Sequence, residues 1–181
     1  MPTGIIERVF DPIYGLPCWN AKPGYGSSLT FEFGKPHLEI REPRQLEETA
    51  DEKRKAYHAR RHVCLRGQWH LWIHYCNWKA YSNDLFLSSS GTKTGMGLAA
   101  EMLDGQQLTK VTANEPHGYT IFEFDLGGRL AAEPDPNHAD KPRDLWLLFQ
   151  TGGKVLSFRE DGLYSYQPGN TPPSAERYRP L

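Results

Sequence analysis

An even set of cysteines, long apolar runs and a dominant charge are all missing from this chain, and each absence weighs against a class of protein. Only three cysteines occur, Cys18, Cys64 and Cys76. One stays unpaired under any scheme, which argues against a secreted disulfide framework, and reduced, partly buried thiols are expected. No apolar run approaches the roughly 18 residues of a helical span. The opening segment MPTGIIERVFDPIYG has neither a basic stretch before an apolar core nor a cleavage site, so the expected compartment is the cytoplasm, with no membrane partner. The formal charge is −1, which provides no global basic field for phosphate backbones, and a nucleic-acid partner is not expected. At 181 residues the chain suits a single domain over 1–181 with a core of its own.

Period-2 alternation is abundant. In Leu29-Thr30-Phe31-Glu32-Phe33 the apolar residues share one face, and after Gly34-Lys35-Pro36 the run His37-Leu38-Glu39-Ile40 alternates again, which predicts a hairpin. The pattern returns in Thr120-Ile121-Phe122-Glu123-Phe124, a turn at Gly127-Gly128, then 145–149, 155–158 and 163–166, punctuated by Gly152-Gly153 and Asp161-Gly162. These dipeptides supply the positive φ of tight turns, so the C-terminal third reads as an antiparallel meander. The segment 42–61 is crowded with charge, acids before bases, and Thr49-x-x-Glu52 has capping-box form, predicting a short solvated helix or an ordered loop. A second helix is expected over 97–103, ended by Gly105. The tail 167–181, with four prolines, is expected to be extended or mobile.

Phe31-Glu32-Phe33 is followed after eight residues by Glu42-Pro43, and Phe122-Glu123-Phe124 after eight by Glu133-Pro134. Leu71-Trp72 and Leu145-Trp146 echo each other further on, with 17 extra residues in the first copy. Self-similarity of this kind predicts two β-units, about 14–88 and 104–166, the first carrying a charged insertion over 44–61. The fold class is therefore mainly β: an antiparallel sandwich or barrel built from two similar units, with one or two short helices.

The chemistry-bearing residues concentrate in HARRHVCLRGQWHLWIHYC, where His-x3-His-x-Cys occurs twice, at His58, His62, Cys64 and at His70, His74, Cys76. Aromatic and β-branched composition makes 69–76 a strand, and histidines four apart on a strand lie about 13 Å apart, so His70 and His74 cannot share an ion. A cross-strand arrangement is the alternative. With Arg66-Gly67-Gln68 as a loop, Cys64 faces His70 and His62 is a diagonal neighbour, and these three could hold zinc or pair a thiolate with a base. No Cys-x2-Cys knuckle supports the metal, and no third group orients the base, so the favoured expectation is no cofactor. The loops 88–97 and 133–140 lack P-loop and EF-hand order. Glu32 and Glu123 are expected to face outward. Trp72 and Trp146 are expected in the core, whereas Trp19 and Trp78, near strand ends, are candidate anchors for a partner or flat ligand together with His70 and His74.

GYGSSLTFEFGKPHLEI, LDGQQLTKV and TIFEFDLGGRL, followed by Leu-Trp strands, resemble small uncharacterised bacterial β-rich domains that serve as immunity partners beside polymorphic toxins. The resemblance spans 15–166 and transfers no catalytic or ligand residue. It implies a cytoplasmic protein-binding module that occludes a protein partner, with 44–61 and 133–144 as candidate contact surfaces. The alternatives are a small-ligand-binding sandwich lined by aromatics and histidines, or a metal-dependent enzyme using His62, Cys64 and His70.

Overall fold

The computed structural model describes residues 4–114, 118–137 and 142–181. Among them are three α-helices, α1 (Ile5–Phe10), α2 (Glu52–His58) and α3 (Lys93–Leu103). The strands of the first half are β1 (Cys18–Pro23), β2 (Leu29–Phe33), β3 (His37–Arg41), β4 (His62–Arg66), β5 (Trp69–Ile73), β6 (Asn77–Ser82) and β7 (Leu85–Ser89). Those of the second are β8 (Leu108–Ala113), β9 (Thr120–Phe124), β10 (Gly128–Glu133), β11 (Asp144–Gln150), β12 (Lys154–Arg159) and β13 (Tyr164–Pro168). The protein is mainly β. A six-stranded sheet has the order β1-β2-β5-β11-β12-β13, a five-stranded sheet β7-β6-β10-β9-β8, and β3-β4 forms a separate ribbon, all antiparallel.

The two large sheets face each other across one core, as a sandwich and not a closed barrel. Phe31, Leu71 and Trp146 from one sheet join Trp78, Phe122 and Leu130 from the other, all without solvent exposure. Trp146 shows why the sheets hold their alignment: its ring meets Phe122 edge-on at 5.8 Å and its Nε1 donates to Thr120 Oγ1 at 2.9 Å. The buried indole thus satisfies its one polar atom across the interface. Along these strands alternate residues point inward, which is what the period-2 pattern demands.

The strand pairings occur twice in the same register. Phe31 pairs with Leu71 on β2/β5 as Phe122 pairs with Leu130 on β9/β10. Next in each sheet, Trp146 lies opposite Ile73 and Trp78 opposite Ala132. The junction between the halves is reciprocal: Gly15 N donates to Leu108 O and Gly105 N to Cys18 O, while Cys18 N donates to Gln106 O and Leu108 N to Leu16 O. Each sheet therefore takes three strands from one half and its remainder from the other. This register corrects one alignment drawn from sequence, since the counterpart of Trp146 is Trp78 and not Trp72. It also moves the extra segment. Where β9 and β10 are joined by 125–127, β2 and β5 are joined by 34–68, a 35-residue excursion containing β3, α2 and β4.

Other expectations are corrected locally. β2 and β3 do not form a hairpin; β2 pairs with β1 and β5, and β3 with β4. Gly34, at φ +75°, bends the chain instead of reversing it. α2 is confined to the end of the charged segment, and Thr49 does not cap it; Asp51 holds the N-cap position. α3 starts at Lys93, earlier than expected, because the Thr92 side chain accepts from Gly95 N at 3.0 Å. The tail is docked, not mobile: a 3-10 turn spans Pro173–Ala175, and Arg179 bridges back to Tyr164.

Candidate functional site

The 34–68 excursion is one ribbon continuous with β2/β5. Phe33 pairs with Trp69, and beyond a bend His37 pairs with Arg66, out to Arg41 with His62. The bend needs glycine on both strands. A Cβ on Gly34 would sit 2.6 Å from Gln68 Oε1, and one on Gly67 would clash with the Phe33 carbonyl oxygen. The ribbon beyond it forms an arm that leans over the outer face of the six-stranded sheet and encloses a cleft of ≈ 1320 Å³.

An ionic network occupies the bend. Glu32, with no solvent exposure, receives His70 Nδ1 and Arg66 Nη1 on Oε1, each at 2.9 Å, and the Gly67 amide on Oε2 at 2.9 Å. Arg66 continues to Glu39 through Nε at 3.1 Å, and Arg41 Nε donates to the other Glu39 oxygen at 2.7 Å. Burial pushes the Glu32 carboxyl up, but the hydrogen bond and charge of His70, with the Gly67 amide and Arg66, outweigh it and hold Glu32 below the usual carboxylate range. An ionised carboxylate only accepts, so the Nδ1 of His70 is the donor in this contact. Glu39 is held low in the same way, first by its bond to Arg41. The network pins the arm through Glu32 on β2, which points to the outer face of the sheet as expected but is covered there and has no solvent exposure.

The arm is patterned the wrong way round for a segment folded onto a body. His37, Glu39 and Arg41 of β3, with Cys64 and Arg66 of β4, line the cleft. The alternate residues, Leu38, Ile40, Val63 and Leu65, are 65%, 57%, 57% and 50% exposed, with Val63 and Leu65 also reaching the rim of the cleft. Four aliphatic side chains presented together on a ribbon form a contiguous apolar face, unlike single exposed apolar residues scattered over a surface.

The residues singled out from sequence divide accordingly. His70 lines the cleft floor beside Trp72, and the Trp72 and Phe149 rings lie near-parallel at 6.5 Å. Trp19 stands at the cleft wall, its indole N–H held by Gly34 O at 3.0 Å. Trp78 is fully buried and donates to Ser27 O, so it offers no surface. His74 lies past the end of β5 and packs against Trp72 at 3.9 Å, outside the cleft lining. The expected pairing of Cys64 with His70 does not form: Cys64 lies opposite Glu39, and His70 between Glu32 and Phe149. Gly67-Gln68 is a bend within a continuous ribbon and not a hairpin loop, so β4 and β5 never face each other. His62 stacks on Tyr57 at 3.9 Å and bonds its carbonyl. Among the described residues no three His, Cys, Asp or Glu side chains are grouped to hold a metal ion. Of the two candidate contact surfaces, 44–61 is the tip of the arm, while part of 133–144 lies outside the described residues.

Sequence reasoning missed Glu32, Arg66 and the outward aliphatic face. Aligning Phe31 with Phe122 and Leu71 with Leu130, instead of matching Leu-Trp pairs, would have exposed the 35-residue excursion. Comparison with protein-family models, curated proteins and solved structures finds no match.

Proposed function

We propose that this chain is a protein-binding module whose contact element is the arm. The observation that supports this is the inverted patterning of β3 and β4. Leu38, Ile40, Val63 and Leu65 are kept in water at a cost of about 1–2 kcal/mol each relative to burial, on a segment the second half of the molecule does without. A ribbon with such a face and two open edges gains most by docking onto another protein. The occluding role of an immunity-type inhibitor is the biological form implied by the sequence resemblance. The test is affinity capture from native extract with mass spectrometry, using the wild type and a Leu38→Asp/Leu65→Asp variant. A stoichiometric protein retained by the wild type and lost by the variant, with thermal unfolding unchanged, is the expected result. Equal retention by both would refute the reading.

A second reading, binding of a small flat ligand, is favoured by the Trp72–Phe149 wall beside His70. The cleft exceeds the roughly 300–1,000 Å³ of ordinary small-molecule pockets and lies open along one side, which suits an extended ligand better. Native mass spectrometry of the purified protein separates the two readings, because a co-purifying small molecule would favour the second.

A further inference from the structure

Charge is segregated along this chain. The excursion 34–68 holds nine Lys and Arg against six Asp and Glu, a net +3, whereas the rest of the protein carries −4. The arm is thus the basic lobe of an acidic body. The cleft beneath it has the same sign. Lys22, Arg41 and Arg66 line it against the single carboxylate of Glu39, with Glu32 sealed behind the floor. Two guanidiniums share Glu39, and Glu32 is already occupied by Arg66 and His70. Lys22 Nζ and the His37 ring have no partner among the described residues, and both residues are exposed.

The wall opposite the arm has its own mark of a built site. Asn20 adopts φ +54° at the point where β1 bulges against β2, and it lines the cleft beside Lys22. A non-glycine residue in the left-handed region costs about 1 kcal/mol or more, and such strain concentrates at binding sites. The bulge lies directly before Lys22, which also lines the cleft.

We infer that the cleft receives an extended acidic segment of the protein partner, lying between the arm and the sheet with its carboxylates toward Lys22, Arg41 and His37. This rests on the protein-binding reading and supplies the partner's chemistry. Complementary charge steers such a segment in and rejects basic ones, and Trp19, Trp72 and Phe149 provide flat surface for its aromatic or aliphatic side chains. A nucleic acid would satisfy the cations but would give the aliphatic outer face of the arm nothing to pack against.

The test uses the full chain and fluorescein-labelled peptides in fluorescence polarisation: one of alternating Glu and Tyr, one of alternating Lys and Tyr, and a single-stranded oligonucleotide of similar length. Saturable binding of the acidic peptide alone is expected, weakened by salt as the Debye length contracts from about 10 Å to about 3 Å. Lys22→Glu, at an exposed side chain without a partner, should lower that affinity roughly tenfold, Arg41→Gln should lower it less, and Lys110→Gln on the half without an arm should leave it unchanged. Equal binding of the basic peptide or the oligonucleotide, or indifference to Lys22→Glu, would overturn the inference. Partner capture that needs Leu38 and Leu65 but tolerates Lys22→Glu would leave the arm reading standing and remove this one.

Discussion

Two strand pairs of this molecule start alike and end differently. β2/β5 and β9/β10 share register, and each carries Phe-Glu-Phe with its glutamate on the outer face. One pair closes in three residues, the other runs on into a 35-residue arm. Glu123, on the short pair, is partly exposed and meets Lys110 only at 3.8 Å. Glu32, at the matching place, is sealed under Arg66, Gly67 and His70. Backbone geometry is the same, so the difference in environment comes from the arm. A carboxylate that costs little in solvent becomes, under a roof, a buried charge that needs every partner it has.

That contrast has consequences for stability. Trp78 and Trp146 occupy matching registers in the core, and alanine at either should cost about 3–5 kcal/mol by urea unfolding; a small effect at one of them would break the equivalence of the halves. Glu32→Ala should cost about 3 kcal/mol by stranding Arg66 and His70, against less than about 0.5 kcal/mol for Glu123→Ala. Because the Glu32 carboxyl is held low in the folded state, its contribution is complete above the unfolded carboxylate range near pH 4.3. It is lost as pH falls through the lower folded value, so the gap between wild type and variant should close in acid. A gap that persisted at low pH would show that Glu32 acts through packing and not charge.

A second addition also breaks the pairing of the halves. β13 and the tail extend only the six-stranded sheet, and Tyr178 donates to Asp144 Oδ1 at 3.2 Å with its ring under Arg159. Burial raises the Asp144 carboxyl to about 6. The folded state therefore binds the extra proton between roughly pH 4 and 6, and stability falls as pH rises through that window. Asp144→Asn should stabilise by about 1 kcal/mol at pH 7, after allowance for solvent screening, and by nothing at pH 4. No gain at neutral pH would mean that the tail screens this carboxylate fully.

Fold class was legible because alternation and Gly-Gly or Asp-Gly turns report on neighbouring residues, and the meander β11–β13 is local in that sense. The arm was not. His37-Leu38-Glu39-Ile40 alternates like a core strand, and nothing within those residues says that the aliphatic face points to water. That is decided by Gly34 and Gly67, whose bend turns the ribbon only when both strands are in register. Glu32 was hidden for a related reason, since its burial is imposed by residues 34 and 35 positions away. Trp78 shows the converse, because proximity to a strand end is no guide to exposure when a second sheet covers it.

On the protein-binding reading, 34–68 makes the contact and the body folds without it. The decisive measurement replaces 34–68 with the Asp-Leu-Gly turn that joins β9 to β10, and follows folding by heteronuclear NMR and partner retention by affinity capture. A dispersed spectrum with the β-sheet signals kept and the partner lost is the predicted result. A collapsed spectrum, or a partner still retained by the armless chain, would contradict it.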